Sequence, residues 1–194
     1  MLHPEQSPFV MTKIEGSKEQ MHYKSMQWLD MWLTYELKRG NDGCLIFDID
    51  DTVLTENNKG VEVLIKPVAN LYKKYRDLGV PVFFVTARPD FPENRKATKE
   101  ILEKLGLGGY KKLYLMGKEF GKSVETYKFS KRNEILGLRM CNRILARVGD
   151  MAWDSLPPSS TFKGDTSILK KIQDEQCYIV FHPKLCEVSV KLPA

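Results

Sequence analysis

Short apolar runs alternate with amphipathic segments along most of the chain, and this pattern predicts an α/β fold. Five runs are too short for helices and almost free of polar residues, as is typical of strands covered on both faces of a parallel sheet. They cover residues 44–49, 81–85, 112–116, 144–148 and 178–181. Helical spacing or helix-end signals occur in residues 17–39, 67–78, 92–105 and 130–142. Strands and helices that alternate in this way favour right-handed crossovers and a three-layer, doubly wound parallel sheet.

The first helix is an addition on the N-terminal side of this alternating pattern. Ser17-Lys18-Glu19-Gln20 fits a capping box, and Gly40 follows the last turn as a stop signal. The apolar residues of this helix recur at helical spacing and are Met21, Trp28, Leu29, Trp32 and Leu33. We expect this face to pack on the core, with a dimer contact as the alternative.

The length and composition of the chain fit one globular domain. Its 194 residues are 42% hydrophobic and 28% charged, and no tract is biased enough to indicate disorder. We expect a single domain over residues 1–194, made of an N-terminal extension with a helix (1–40), a core that carries the motifs (41–156) and a C-terminal strand and tail (157–194). The net charge of +5 permits an acidic substrate but does not by itself predict nucleic-acid binding.

The cysteines and the N-terminal residues bear on the cellular location. The chain has four cysteines, no C-x-x-C pair and three histidines, which argues against a structural zinc site. We interpret Cys44, Cys141, Cys177 and Cys186 as reduced thiols. Residues 1–16 lack the apolar segment of a signal peptide, and no stretch approaches the roughly 18 apolar residues that span a bilayer. These features predict a cytoplasmic protein without a membrane partner.

Two aspartates follow the first predicted strand. Asp48 and Asp50 are separated by one residue at the end of the apolar run that begins at Cys44. Side chains alternate along an extended segment, so both carboxylates are expected to point the same way. They lie at the carboxyl edge of the sheet, where open α/β sheets bind ligands. An acidic loop after a strand is the alternative that this motif alone leaves open.

Three further polar motifs follow in order, each at the boundary of a predicted element. Thr86-Ala87-Arg88 follows the second strand, and Tyr127-Lys128, with Arg132 four residues after the lysine, lies where a helix is expected to begin. Gly149-Asp150 and Asp154 follow the fourth strand. Each motif alone fits an ordinary loop or a solvated face. Together, and in this order, the four motifs indicate a metal-assisted phosphoryl-transfer site.

At these motifs the sequence resembles the haloacid dehalogenase (HAD) superfamily, whose signature is D-x-D-x-T, a Thr or Ser after the second strand, a Lys, and G-D-x-x-x-D. The sequences of residues 50–54, 86–88, 127–132 and 149–154 are similar to those of one branch of this superfamily, subfamily IIIB. This branch contains the class B and class C acid phosphatases and the plant vegetative storage proteins. The resemblance covers about residues 44–156 and implies a HAD-like Rossmannoid fold. The N-terminal helix and the tail after Pro157 lie outside it.

The resemblance implies a role for each motif residue. Asp48 is expected to be both nucleophile and metal ligand, and Asp50 to be the general acid and base whose backbone carbonyl also binds the metal. Asp150 supplies the second metal-binding carboxylate. Mg²⁺ is the expected cofactor, since it prefers oxygen ligands and neutralises the charge that opposes attack on a phosphoryl group. The remaining roles are substrate binding by Thr86, Arg88 and Lys128, and support of the site by Thr52 and Asp154.

The identity of Asp50 and the spacing of the motifs narrow the function. Phosphatases and phosphomutases of this superfamily keep this acid/base, whereas the dehalogenases lack it. Only 33 residues (53–85) lie between Thr52 and Thr86, and 41 residues (87–127) between Thr86 and Lys128. Neither interval leaves room for a cap domain, so we expect a capless, open site. Residues 56–65, the N-terminal helix or a neighbouring subunit would have to close it over a small substrate.

We therefore expect a Mg²⁺-dependent phosphomonoester hydrolase that forms an aspartyl-phosphate and acts on a nucleotide or another small phosphomonoester. One alternative is a phosphatase that acts on a nucleic-acid 3′ end or a phosphoprotein. A second is a non-catalytic binding or storage protein on the same scaffold. Loss of the nucleophile would favour the second alternative, but Asp48 is present. The sequence leaves the physiological substrate and the oligomeric state open.

Overall fold

Seven strands form one mixed sheet in the computed structural model, which describes residues 9–121, 123–155, 172–183 and 185–194. Two further strands of the described residues lie outside this sheet. In chain order the strands are β1 (Val10–Ile14), β2 (Cys44–Phe47), β3 (Leu54–Glu56), β4 (Glu62–Leu64), β5 (Val82–Pro89), β6 (Lys112–Met116), β7 (Ile144–Gly149), β8 (Cys177–His182) and β9 (Glu187–Lys191). The order in the sheet is β1-β8-β9-β7-β2-β5-β6, and β3 pairs with β4 in a separate hairpin. From β9 to β6 neighbouring strands are parallel, while β8 runs antiparallel to both β9 and β1.

In the described part of the chain, four α-helices connect and flank these strands: α1 (Lys18–Lys38), α2 (Lys66–Asp77), α3 (Pro92–Lys104) and α4 (Val124–Leu136). The predicted capping box of α1 is confirmed, because the Gln20 amide donates to the Ser17 hydroxyl at 3.2 Å and the Ser17 amide to the Gln20 side chain at 3.0 Å. None of the helices in the described residues is long and apolar enough to cross a membrane.

The sheet separates two apolar clusters, as its almost continuously apolar strands require. In β2, Leu45 and Phe47 belong to the cluster that also contains buried residues of α1, α2 and α3. Cys44 and Ile46 belong to the opposite cluster, together with Tyr127 of α4. Both faces of β2 are therefore covered. The predicted α/β architecture is confirmed, with a sheet that is mostly parallel rather than entirely so.

Several boundaries and elements differ from the prediction. Helix α4 begins six residues before the predicted start at residue 130 and ends at Leu136, where Gly137 provides the C-cap. Strand β1, the β3–β4 hairpin and β9 were not predicted. Buried polar side chains explain the omission of β9, since Glu187, Ser189 and Lys191 break its apolar pattern and are nevertheless buried.

The apolar face of α1 packs on the core only in part. Leu29 and Leu33 are fully buried, whereas Trp28 is 36% exposed. Trp32 lies between these extremes and makes an edge-to-face contact with Phe181 of β8, with ring centroids 5.5 Å apart. The core-packing prediction is therefore right for the two leucines. The dimer contact stays an untested alternative.

The intervals between the motifs contain no cap domain in their described residues. The first interval is filled by the short β3–β4 hairpin, which we call the flap (54–64), followed by α2 and the start of β5. The second contains α3, β6 and a 3₁₀ turn at Lys118–Phe120. In the described residues neither interval therefore adds a cap domain to the sheet, as the spacing of the motifs predicted.

The expectation that all four cysteines are reduced is wrong for two of them. Cys44, the first residue of β2, forms a disulfide with Cys141, and the two Cα atoms lie 5.2 Å apart. Cys177 and Cys186 are free. Cysteines 97 residues apart in sequence give no local signal of pairing, since connectivity cannot be deduced from spacing alone. Structural disulfides are typical of oxidising compartments, so this bond counts against the cytoplasmic location, which stays a prediction.

We predict that Cys141→Ser lowers the free energy of unfolding by about 2–5 kcal/mol, because the disulfide closes a long loop and thereby restricts the unfolded chain. Urea denaturation without reductant measures the change. Cys186→Ser is the matched control, since the Cys186 thiol is exposed and free, and it should leave the midpoint almost unchanged. Indistinguishable midpoints for the two variants would contradict the prediction.

Candidate active site

Four charged side chains from three parts of the chain meet at the carboxyl edge of β2 and β7. Asp48 directly follows β2, and Asp150 directly follows β7. Asp154 lies in a 3₁₀ turn at Ala152–Ser155, and Lys128 lies in α4. One carboxylate oxygen from each aspartate lies within 4.8 Å of the others, and all three aspartates are buried. We call these three aspartates the aspartate cluster.

Lys128 joins two members of the aspartate cluster. Its ammonium donates to Oδ2 of Asp48 at 2.8 Å and to Oδ1 of Asp154 at 2.5 Å. The lysine is only 2% exposed. A buried ammonium costs several kcal/mol unless it is paired and hydrogen-bonded, and here both conditions are met. This contact fixes α4 against the ends of β2 and β7.

The backbone around the cluster explains why glycine precedes Asp150. A Cβ atom at Gly149 would lie 2.3 Å from the Cβ atom of Asp154, which no side chain could tolerate without displacing the 3₁₀ turn. Asp154 is held further by the Met151 amide, which donates to Oδ2 at 3.2 Å. The glycine therefore allows the turn to fold back and bring Asp154 beside Asp48.

Arg132 anchors the same turn from α4. It is buried, and its guanidinium donates to the backbone carbonyls of Trp153 at 3.1 Å and of Asp154 at 3.5 Å. Arg132 therefore supports the turn that carries Asp154 and is not part of a solvated face, the interpretation that this motif alone would fit. Burial, with repulsion from Arg147, lowers the pKa of Arg132 to about 9.

The aspartate cluster carries more negative charge than Lys128 can balance. Burial, together with the neighbouring carboxylates, raises the pKa of Asp150 to about 8. Burial also raises the pKa of Asp48, to about 6, although Lys128 acts in the opposite direction. Burial would lower the pKa of Lys128, but Asp154 and Asp48 outweigh it and raise the pKa. Three carboxylates around one ammonium favour either bound protons or a bound cation.

The donor set fits a hard divalent cation such as Mg²⁺. The cluster offers only carboxylate oxygens, which Mg²⁺ prefers. Oδ1 of Asp48 is buried and has no hydrogen-bond partner among the residues that the structure describes, so it is available to a ligand. The structure thus brings together Asp48 and Asp150, two of the predicted metal ligands, and adds the Asp154 carboxylate to them.

The carboxylate of Asp50 is not part of the aspartate cluster and accepts hydrogen bonds from another set of partners. The Arg88 guanidinium donates to it through Nε at 3.1 Å and through Nη2 at 2.6 Å, and the Thr86 hydroxyl donates at 3.3 Å. Asp48 and Asp50 therefore make contacts with different partners. Both aspartates lie beyond the end of β2 at Phe47, and the chain turns directly after Asp50 at Asp51, which has a left-handed φ of 48°.

Two other predicted residues lie close to these groups. Thr52 is fully buried, and its hydroxyl has no hydrogen-bond partner in the described part of the chain, while its amide donates to the Ile49 carbonyl at 3.3 Å. Arg88, predicted to bind substrate, instead bridges Asp50 and Glu62 of the flap. Glu62 could not be identified from the sequence, since a single acidic residue in a short hairpin is ordinary.

We predict that the metal-free protein loses stability as the pH rises from about 4 to about 8. The unfolded chain releases the protons of Asp48 and Asp150 near pH 3.9, whereas burial keeps their folded pKa values at about 6 and about 8. The folded state therefore binds more protons over this range, and the free energy of unfolding falls with rising pH.

Mg²⁺ should reverse this loss, because it binds the deprotonated carboxylates. Thermal unfolding with Mg²⁺ or with a chelator should show a larger stabilisation by Mg²⁺ at pH 8 than at pH 5. Asp150→Asn should reduce both the pH dependence and the effect of Mg²⁺. A stabilisation by Mg²⁺ that is equal at both pH values would argue against the aspartate cluster as its site.

Comparison with known proteins gives a family for this fold and site. The family model described as "HAD superfamily, subfamily IIIB (Acid phosphatase)" matches residues 56–168, more than half of the chain. Among solved structures, the chain resembles the class C acid phosphatase from Bacillus anthracis with a TM-score of 0.56 and 20% identity, over 73% of this chain and 66% of that one. No curated protein matches the sequence. At 20% identity the structural likeness shows the fold alone, and it is the family model that places the chain in subfamily IIIB of the HAD superfamily, the acid phosphatase subfamily.

Proposed function

We propose that this protein is a Mg²⁺-dependent phosphomonoester hydrolase that acts through an aspartyl-phosphate on Asp48. The observation that carries the proposal is the aspartate cluster, in which three buried carboxylates lie within 4.8 Å of one another around a buried lysine. Such an excess of buried negative charge is costly without a cation. A divalent ion makes the same edge of the sheet attractive to a phosphoryl group.

Asp48 is the proposed nucleophile because its two oxygens differ in their surroundings. Oδ2 accepts a hydrogen bond from Lys128, whereas Oδ1 has no partner in the described residues. Oδ1 would form a bond to phosphorus while the bond from phosphorus to the ester oxygen breaks. This divides one difficult displacement into two easier ones.

Asp50 is the proposed general acid and base. In the first step its protonated carboxyl would give the proton to the departing ester oxygen. In the second step its carboxylate would take a proton from the water that attacks the aspartyl-phosphate, which releases phosphate and restores Asp48. The Asp50 side chain is 54% exposed, so a leaving group and then a water molecule can reach it.

Asp48, Asp150 and the backbone carbonyl of Asp50 would hold the metal, with Asp154 as a further ligand or a support. Bound there, Mg²⁺ supplies the positive charge that offsets repulsion between a carboxylate nucleophile and a phosphoryl group. Lys128, already bonded to Asp48, would add charge on the same side, and the Thr86 hydroxyl would donate to a phosphoryl oxygen. Of the Arg88 nitrogens only Nη1 would be available to substrate, because carboxylates accept from Nε and Nη2.

The substrate is proposed to be a small phosphomonoester such as a nucleotide. A panel of nucleoside monophosphates, sugar phosphates, phosphopeptides and 3′-phosphorylated oligonucleotides, assayed with Mg²⁺ or with a chelator, tests this directly. Preference for the peptides or the oligonucleotides would favour the alternative that the open site allows. Absence of hydrolysis across the panel would contradict the proposed activity.

The roles of the two aspartates give a specific prediction. Asp48→Asn should abolish turnover, because the amide cannot act as the nucleophile. Asp50→Asn should lower kcat by roughly 10²–10⁴-fold, the usual cost of a lost general acid/base. Rapid acid quenching followed by mass spectrometry of peptides should place the phosphoryl adduct on Asp48. An adduct on any other residue would refute the assignment.

Lys128 can be tested against a neighbouring lysine on the same helix. Lys128→Ala should lower kcat/KM by about 10²-fold or more, because it removes a charge that acts on the reacting group. Lys131→Ala should have little effect, since Lys131 pairs with Glu134 at 3.2 Å and does not contact the cluster. Circular dichroism checks that both variants fold. Equal, small losses would mean that the third motif is wrongly placed.

A further inference from the structure

We infer that Glu62, on the flap, is a positioning residue for the acid/base Asp50 and acts through the guanidinium of Arg88. Arg88 lies at the end of β5, Asp50 lies after β2 and Glu62 begins β4. One side chain thus links the sheet edge to the flap. The inference rests on the proposed function, because it assigns Glu62 a part in the same reaction.

The contacts of Arg88 show how this link is built. Its Nε and Nη2 atoms both donate to the Asp50 carboxylate, and Nη2 also donates to Oε1 of Glu62. In the described residues the remaining guanidinium nitrogen, Nη1, donates only to the Thr98 hydroxyl, at 3.5 Å. The Arg88 side chain is 16% exposed, so its position is determined mainly by these two carboxylates. A guanidinium whose nitrogens are fixed in this way binds a carboxylate in one specific orientation.

Asp50 needs such a holder because little else fixes its carboxylate. Its side chain is more than half exposed, and the residue after it is at a left-handed turn. In the described residues its side-chain hydrogen bonds come from Arg88 and Thr86 alone. A general acid must be oriented toward the leaving oxygen, and a small displacement lowers the rate substantially. Arg88 therefore determines where the Asp50 carboxylate points.

Glu62 in turn holds the Arg88 guanidinium from the flap. In the flap, Glu62 pairs with Glu56 on the opposite strand, and the hairpin register also joins Leu54 to Leu64. Leu54 is buried in the core, which fixes the base of the flap. Glu62 is 28% exposed and accepts from Nη2 of Arg88, the same atom that donates to Asp50. Loss of this contact would leave the guanidinium held by Asp50 and by its long hydrogen bond to the Thr98 hydroxyl, and freer to move together with the Asp50 carboxylate.

The flap supplies a matched control in Glu56. It carries the same charge as Glu62 and is its direct cross-strand partner, but it makes no ion pair within the described part of the chain. Glu62→Gln and Glu56→Gln therefore remove the same charge from the same hairpin. Only the first disturbs Arg88, so any difference between them is not a general effect of charge on substrate approach.

The test is the kinetics of these variants on the best substrate of the wild-type protein. Glu62→Gln should lower kcat by about tenfold, a fraction of the full loss of a general acid/base. KM and the inhibition constant of inorganic phosphate should change by less than about twofold, because the groups that bind phosphate are untouched. Glu56→Gln should match the wild type. Equal kcat values for the two variants, or a change in KM alone, would overturn the inference.

A double-mutant cycle with Arg88→Ala separates positioning from a role in folding of the flap. If Glu62 acts through Arg88, then Glu62→Gln should have no further effect on kcat in the Arg88→Ala background. The same tenfold loss in both backgrounds would show that Glu62 acts by another route and would overturn the inference. Absence of hydrolysis by the wild type would instead refute the proposed function. The two failures are therefore distinguishable.

Discussion

The ammonium of Lys128, held between Asp48 and Asp154, is the contact on which the arrangement of this edge depends. It joins the end of β2, the helix α4 and the turn after β7, three segments that are distant in sequence. Without this cation, two buried carboxylates would face each other and a third, on Asp150, would lie within 4.8 Å. Removal of one partner from a buried charge network usually costs several kcal/mol.

The same contact explains why neighbouring residues have so little freedom. Gly149 has to lack a Cβ atom because Asp154 occupies that space, and Arg132 has to be buried because it supports the backbone of the turn that carries Asp154. The glycine at position 149 and the burial of Arg132 therefore follow from one requirement, which is that the turn place Asp154 at the edge of the sheet. It also explains the four-residue interval from Lys128 to Arg132, since residues at this spacing lie on one face of a helix.

The sequence predicted the parts of this structure that depend on local pattern. Buried strands such as β2 are nearly all apolar, and the motif aspartates follow strands whose carboxyl ends meet at one edge by topology. Lys128 was predicted as a site residue from its spacing to Arg132 and Asp150, and it forms ion pairs with two aspartates of the cluster. The prediction for α4 was wrong at both ends, since it began the helix at Ser130 and carried it through Gly137, the observed C-cap, to Asn142.

What the sequence could not predict depends on contacts between distant residues. Glu62 and Arg88 are 26 residues apart and meet only because the flap returns over the end of β5. Strand β9 was missed because Glu187, Ser189 and Lys191 read as polar, whereas in the fold they lie on a face shared with buried polar groups, such as the Arg147 guanidinium 3.4 Å from Glu187. Cys44 and Cys141 likewise meet only in the folded chain.

The position of that disulfide bears on how the aspartate cluster can exist. Cys44 begins β2, and Asp48 follows its end, so the disulfide and the cluster lie at opposite ends of a four-residue strand about 13 Å long. Cys141 lies just before β7, the strand that leads to Asp150. The β2–β7 pair is therefore joined covalently at one end and electrostatically at the other. The electrostatic end depends on bound protons or metal, whereas the covalent end and the parallel pairing of the two strands do not.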